Sequence, residues 1–331
     1  MWRQNYQLGG HSPLDQINRD TVANLKLAWS AELGQGGNMT TPLVHDGVMF
    51  IADTANVLRV IDASNGEELW QYTHESENFD GRRIGVALQD DMVIVPHNDL
   101  DVVALNVRSG EVLWEHSIET PNVEPNRGGY YSLRAAPVIA DGMVIQGVGA
   151  TIVPEGGFIV GIDLQTGQEK WRFHTVARPD GPGGNTWNDI PLSARSGGSV
   201  WIPGSYDPEL NLLYFGSAPT YDTEPLRLDA GIEGHNNDAL FTNTTLALRP
   251  QTGELVWYYQ HLANDQWDLD WVYERQIVEL EVNGQMRKVV LTAGKMALYD
   301  VLDAATGDYL MSLDLGIQNM IASIDPVTGA K

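Results

Sequence analysis

The chain has 331 residues, of which 43% are hydrophobic and 19% charged, and this balance excludes an intrinsically disordered or fibrous protein. Its formal net charge of −24 repels phosphate backbones, so we expect no nucleic-acid partner. It has no cysteine, which excludes disulfides, thiolate metal ligands and a cysteine nucleophile. No apolar run reaches the roughly 18 residues of a membrane span, and the opening MWRQNYQLGG lacks the form of an export signal.

The first predicted elements are two consecutive hairpins. The segment PLVHDGVMFIAD places Asp46-Gly47 between two alternating apolar runs, which is typical of a tight β-turn. The segment VIDASNGEELW follows, with Gly66 at a turn position that requires a positive φ and Trp70 four residues later. Two successive hairpins predict a four-stranded antiparallel sheet.

The second hairpin recurs along the chain with its internal spacing unchanged. Each copy has an apolar strand, a turn ending in glycine, and a large residue four positions after that glycine. The copies end at Trp70, Trp114, Trp171, Trp257 and, in a degenerate fifth copy, Met311. Recurrence of this kind predicts an all-β fold, a β-propeller of four-stranded blades in which each tryptophan docks against the neighbouring blade. A β-sandwich with a fortuitous repeat is the alternative.

Further turn signals support this interpretation. Asp141-Gly142 and Asn283-Gly284 mark first hairpins of later blades. The gap between the repeat glycines 167 and 253 is much longer than the others, and we expect its polar insertion to lie on the functional face. About five blades are legible, so residues 1–331 are predicted to form one propeller domain that stops in mid-blade. Its open edges predict a dimer or a second chain that completes the ring.

The eight histidines show no pair at metal-ligand spacing in the sequence. His97 and His235 lie in polar segments, where we expect solvated side chains. The segment Gly147-Val148-Gly149 lacks the third glycine of a dinucleotide-binding fingerprint.

Three segments, SPLDQINRDTVANLKLAW, GGSVWIPGSYDPELNLLYFGS and NDQWDLDW, resemble signatures of the pyrroloquinoline quinone (PQQ) dependent alcohol dehydrogenases. That family has eight-bladed propellers with tryptophan docking motifs. The resemblance implies a periplasmic quinoprotein that oxidises an alcohol by hydride transfer to PQQ and passes electrons to a cytochrome-type acceptor. The alternative is a propeller of the same lineage that has lost metal and cofactor and serves as a scaffold for protein interactions.

The resemblance also assigns roles to individual residues. Trp201 matches the tryptophan that forms a floor under PQQ, although a blade-packing tryptophan is the alternative. Asp268 matches the catalytic aspartate, which acts as general base and calcium ligand, with a solvated acidic turn as the alternative. Lys295 matches the cation at the quinone oxygens, and Arg83 and Gly149 match cofactor-binding positions. If residues 265–270 are extended, Asp268 and Asp270 share one face, and repulsion between them would raise one pKa.

Departures from the family bear mainly on the metal. The family's adjacent cysteine pair is missing, and Thr151 and Pro219 stand where its glutamate and asparagine calcium ligands are expected. Of the three protein ligands only Asp268 remains, whereas calcium takes six to eight oxygens. We therefore expect calcium to bind weakly without PQQ and more tightly with it.

Overall fold

The computed structural model describes residues 2–34, 39–53, 56–76, 85–121, 129–221 and 223–331. Five antiparallel sheets follow one another along the chain, and each has four strands in sequential order. The blades are numbered one to five. No α-helix is present in the residues just given, where the only helical segments are single 3-10 turns such as Leu192–Ala194. None of these segments is long and apolar enough to cross a lipid bilayer.

The strands of each blade run in chain order. Blade one contains β1 (Leu43–His45), β2 (Val48–Ala52), β3 (Val57–Asp62) and β4 (Glu68–Thr73). Blade two contains β5 (Ala87–Gln89), β6 (Met92–Pro96), β7 (Asp101–Asn106) and β8 (Val112–Ser117). Blade three contains β10 (Val138–Ala140), β11 (Met143–Thr151), β12 (Phe158–Asp163) and β13 (Glu169–His174), with the short β9 (Tyr130–Ser132) paired to the end of β11. Blade four contains β14 (Ser205–Asp207), β15 (Leu212–Gly216), β16 (Thr244–Leu248) and β17 (Leu255–Gln260). Blade five contains β18 (Gln276–Val282), β19 (Gln285–Ala293), β20 (Leu298–Asp303) and β21 (Tyr309–Asp314).

The repeat tryptophans connect one blade to the next, as the sequence predicted. A Cβ added to any repeat glycine would lie under 3 Å from the indole ring of the preceding copy, so only glycine permits this contact. Indole hydrogen bonds fix the docking: Trp114 Nε1 donates to the Leu164 carbonyl and Trp171 Nε1 to the Pro250 carbonyl, each at 2.9 Å. Trp29, outside the predicted repeat, docks on Gly66 in the same way. The all-β propeller prediction is confirmed.

The degenerate fifth copy docks differently. Met311 occupies the tryptophan position, but it is 41% exposed. Tyr309 instead lies against Gly329, in the last turn of the chain. The turn at Gly329 is therefore covered by a ring that lies two positions before Met311 on the same strand.

Two irregular segments complete the scaffold of the site. Residues 175–204 and 217–243 pack between blades three and four around the fully buried Trp187. Near the N-terminus, the Tyr6 carbonyl accepts from the Tyr206 amide at 3.0 Å and the Gln7 carbonyl from the Ile277 amide at 3.1 Å. This segment thus connects the first strands of blades four and five.

Candidate active site

The structure brings two of the predicted site residues into direct contact. Lys295 lies in the loop between β19 and β20, and Asp268 lies in the loop before β18. The Lys295 ammonium is 3.0 Å from Asp268 Oδ2 and 2.6 Å from Asp270 Oδ2. It also donates to the Asp268 carbonyl oxygen at 2.9 Å. One cation is therefore held by three oxygens of a three-residue segment.

The acidic segment is bent, and the conditional expectation of an extended one is wrong. Asp268 has φ 61° and Asp270 has φ 26°, both outside the extended region. The buried Asp265 fixes the bend, because its carboxylate accepts from the Trp267 and Leu269 amides at 2.8 Å each. Asp268 and Asp270 meet at one cation because the loop turns around Asp265.

A buried platform supports this loop from below. Trp271 is fully buried and stacks on His261, with ring centroids 4.5 Å apart and an interplanar angle of 4°. A Cβ on Gly294 would lie 2.5 Å from the Trp271 ring. Because Gly294 precedes Lys295 and Trp271 follows Asp270, this contact sets the distance between the lysine and the acidic segment.

The two carboxylates have different environments. Burial raises the pKa of Asp270 to about 6, with the nearby charge of Asp268 adding to the rise and the Lys295 hydrogen bond opposing it. Asp270 is thus the carboxylate whose pKa is raised. Desolvation is the largest cause, whereas the sequence argument relied on repulsion between Asp268 and Asp270. Although partial burial lowers the pKa of Lys295, its hydrogen bonds to Asp270 and Asp268 raise it above the ordinary value. Lys295 therefore stays a cation.

Exposure separates the roles that these residues can play. The Asp268 side chain is 55% exposed, and that of Asp270 is 6% exposed. The Lys295 side chain is 39% exposed. A molecule approaching from solvent reaches Asp268 and Lys295 first, with Asp270 behind them.

Trp201 lies beside this group. Its ring meets that of Tyr273 edge to face, with centroids 5.6 Å apart and planes at 87°. Burial raises the pKa of Tyr273, and the charge of Asp270 raises it further, which places Tyr273 near the acidic segment. Trp201 is partly buried against Trp2 and Ile202 and is not one of the docking tryptophans.

Gly149 joins the same neighbourhood through blade three. Gly149 is buried, and a Cβ there would lie 2.8 Å from Ser132 Oγ and 3.3 Å from Ser199 Oγ, so these two serine side chains occupy the space that a side chain would need. Tyr221 lies near Ser199. Burial raises the pKa of Tyr221, and the charges of Asp270 and Asp268 add to this rise. Tyr221 and Tyr273, which the sequence reasoning missed, connect the predicted residues, and no motif marked either of them.

The sequence named three further positions. Arg83 lies outside the described residues. Thr151 pairs with Tyr130 in the β11–β9 ladder, and the Pro219 carbonyl accepts from the Gly198 amide at 3.2 Å.

A large cavity lies away from these residues. It has a volume of about 1040 Å³ and lies between the N-terminal segment and the first two blades, lined by residues such as Trp2, Thr41 and Asp90. A smaller pocket of about 370 Å³ adjoins the Lys295 loop, lined by Tyr273, Gly294 and others. Neither pocket is lined by Lys295, Asp268 or Asp270, so cavity size does not identify the site in this fold.

The fold and this site define the class of protein. The family model described as "PQQ: Glucose/ethanol/alcohol dehydrogenase, beta-propeller domain" matches residues 1–315, and the chain belongs to this family. It is 32% identical, over 98% of its length, to an alcohol dehydrogenase (quinone) dehydrogenase subunit of Komagataeibacter europaeus, of which it covers 47%. It is 33% identical, over 96% of its length, to the quinohemoprotein alcohol dehydrogenase ADH IIB of Pseudomonas putida, again covering 47% of that protein. The chain thus spans about half the length of these curated relatives.

Solved structures give the same family. The quinohemoprotein alcohol dehydrogenase ADHIIG of Pseudomonas putida HK5 superposes with a TM-score of 0.84 at 30% identity, over 98% of this chain and 49% of that one. The quinohemoprotein alcohol dehydrogenase of Comamonas testosteroni also superposes with a TM-score of 0.84. It is 28% identical, and the match covers 98% of this chain and 50% of that one. A europium-containing methanol dehydrogenase, at 24% identity and a TM-score of 0.86, shares the fold.

The side chains present fit the PQQ of this family. Lys295 offers a cation to quinone or carboxylate oxygens, and Trp201 offers an aromatic face. For a hard cation the donors are the carboxylates of Asp268 and Asp270. Among the residues that the structure describes, the buried Asp270 Oδ1 has no hydrogen-bond partner, so this oxygen is available to a ligand.

Proposed function

We propose that this chain supplies the PQQ-binding part of a periplasmic quinoprotein that oxidises an alcohol or another hydroxyl-bearing substrate. The observation that carries the proposal is the contact of Lys295 with both Asp268 and Asp270 beside Trp201 and Tyr273. Oxidation of an alcohol by a flat quinone requires a base, a cation near the quinone oxygens and an aromatic surface. Asp268, Lys295 and Trp201 supply these three groups in one place. The alcohol dehydrogenase names of the relatives support the reaction class.

Each residue has a separate task in this proposal. PQQ, when bound, supplies the two-electron acceptor for the hydride. Asp268 is the general base, because its accessible carboxylate can take the hydroxyl proton of a substrate. Lys295 neutralises negative charge at the quinone oxygens, and its raised pKa keeps it protonated for this task. Asp270 positions Lys295 from the buried side.

Cofactor binding is divided among the remaining predicted residues. Trp201 provides the face on which the planar cofactor rests. Gly149 is assigned to the cofactor site by its match to the family position, and Arg83 pairs with a carboxylate of PQQ through its planar guanidinium fork.

Titration of PQQ, followed by absorbance, tests cofactor binding. We expect a shifted quinone band with the wild-type chain and a much weaker one with Trp201→Ala. Trp267→Ala is the matched control, since that ring is 77% exposed and is assigned no role. Equal bands for wild type and Trp201→Ala would overturn the role of Trp201. No PQQ binding at all would favour the scaffold alternative.

A second experiment separates the base from the positioning carboxylate. With PQQ and an artificial electron acceptor, Asp268→Asn should lower kcat by about 10²–10⁴-fold while PQQ still binds. Asp270→Asn should weaken PQQ binding and disturb the Lys295 contact. An Asp268→Asn enzyme with wild-type kcat would show that another group takes the proton.

Calcium is proposed as a ternary ligand, held by Asp268, Asp270 and the oxygens of PQQ. Calorimetric titration of calcium into cofactor-free and PQQ-loaded protein should give tighter binding in the second case, as reciprocal linkage requires. Equal affinities would overturn the ternary site. Tight binding to the cofactor-free chain would show that the substituted ligands Thr151 and Pro219 have been replaced by others.

Assembly is the last part of the proposal. Residues 1–331 form one propeller domain that associates with a second chain or a second copy, and a cytochrome-type protein accepts the electrons. Sedimentation over a range of concentrations tests the first point, and a persistent monomer contradicts it. Reduction of added cytochrome c by the PQQ-loaded chain tests the second.

A further inference from the structure

A second cluster of ligand-type side chains joins blades one and two. His74 directly follows β4, Asp99 lies in the β6–β7 loop, and Asp101 begins β7. His74 Nε2 is 3.1 Å from Asp99 Oδ2 and 3.2 Å from Asp101 Oδ2. In the part of the chain that the structure describes, this is the one group of three such residues whose ligand atoms all lie within 4.8 Å of one another.

The imidazole of His74 is buried and held in a fixed orientation. Its ring stacks on His97 at 4.1 Å and 21°, and its Nδ1 is 3.3 Å from the Tyr72 hydroxyl. His97 is itself fully buried, which corrects the expectation of a solvated side chain. A histidine that binds a metal through one nitrogen usually donates its other N–H to an oxygen, and the Tyr72 hydroxyl is placed to accept it.

The distances from His74 Nε2 to the two carboxylates suit a shared metal ion better than a hydrogen bond. A single N–H makes one good hydrogen bond, whereas two carboxylate oxygens approach His74 Nε2 almost equally. Ligands about 2.1 Å from a tetrahedral zinc ion lie about 3.4 Å from one another, close to the two separations observed.

The charge at this place is also unbalanced. Two carboxylates face one imidazole. A cation would therefore be stabilised here.

We propose that His74, Asp99 and Asp101 bind a divalent first-row transition ion of the zinc type, independently of the PQQ site. One imidazole nitrogen with two carboxylate oxygens is a donor set that such ions accept, with solvent completing the coordination. The β6–β7 loop corresponds in its blade to the Lys295 loop of blade five, so the ion lies on the same face of the propeller. Its ligands come from adjacent blades, and the ion therefore cross-links them and stabilises the folded chain.

The test uses the full chain after treatment with a chelator. Zn²⁺ and Co²⁺ are titrated by calorimetry and visible absorbance in an Asp268→Asn/Asp270→Asn background, which removes the carboxylates of the PQQ site. We expect one equivalent to bind, visible Co²⁺ bands, and a rise of several degrees in Tm with Zn²⁺. His74→Gln should lower the affinity at least 100-fold and abolish the bands.

Controls keep the outcome decisive. His116→Gln is the matched control, because His116 Nε2 faces only Glu169 at 3.4 Å, a carboxylate already paired with Arg172. It should bind like the background protein. Asp99→Asn provides a second ligand variant at a partly exposed side chain, should His74→Gln fail to fold. Absence of binding, or equal binding by the His74→Gln and His116→Gln proteins, would overturn the site and leave a histidine–carboxylate hydrogen-bond cluster.

Discussion

Replacing Gly294 by alanine is expected to damage both the stability of blade five and the candidate active site. Gly294 needs glycine for steric reasons alone, since its φ is not in the left-handed region. The added Cβ would lie 2.5 Å from a ring atom of Trp271, about 1 Å closer than an ordinary contact. Trp271 is fully buried against His261 and cannot retreat without moving that stack.

The structure sets the size of this effect. Overpacking of one methyl group in a filled core lowers the free energy of unfolding by about 1–3 kcal/mol. The backbone beside Lys295 would have to move by about 1 Å, and a misplacement of that size at a catalytic group lowers the rate by about 10²-fold. We therefore expect a lower Tm together with weaker PQQ binding.

Thermal unfolding and PQQ titration measure the two effects. Gly181→Ala is the matched control, because the nearest atom to its added Cβ is 3.6 Å away and its φ is also ordinary. In a double-mutant cycle, the smaller ring of Trp271→Phe should restore at least about 1 kcal/mol to the Gly294→Ala protein. The reasoning is refuted if Gly294→Ala and Gly181→Ala unfold at the same temperature, or if the cycle shows no coupling.

Two further predictions concern pH and docking. Because burial raises the pKa of Asp270 from 3.8 to about 6, the folded protein binds this proton more tightly than the unfolded chain, so stability should fall as pH rises from about 4 to about 6. The fall amounts to at most about 3 kcal/mol and should be absent from the Asp270→Asn protein in denaturant titrations at several pH values; parallel curves would contradict the assignment. Trp171→Ala should lower the free energy of unfolding by about 3–5 kcal/mol, since the buried indole covers Gly253 and donates a hydrogen bond to the next blade. Trp267→Ala, at an exposed ring, should change it by less than about 0.5 kcal/mol, and similar losses from both variants would disprove the docking argument.

The propeller could be predicted from the sequence because its determinants are local and repeated. Asp46-Gly47, Asp141-Gly142 and Asn283-Gly284 all form the expected turns, with both residues of each pair at positive φ. The spacing of four residues between glycine and tryptophan fixes the height at which each indole meets the next blade. Repetition makes this signal unambiguous, since a single hairpin would fit many folds.

The site could be predicted only in part. Family resemblance indicated Asp268, Trp201, Gly149 and Lys295, and the structure places these four in one neighbourhood. The resemblance could not predict the bend around Asp265 or the burial that raises the pKa of Asp270, because both depend on residues distant in the chain.

The His74 cluster was hidden for the same reason. His74 and Asp101 are 27 positions apart, and only the pairing of adjacent blades brings their side chains together. The sequence by itself determined the strands, the turns and the docking of the four repeat tryptophans, which follow from short-range patterns. The tertiary structure alone decided which charged groups share a site and which of them are buried, since desolvation and Coulomb interactions depend on distance in space.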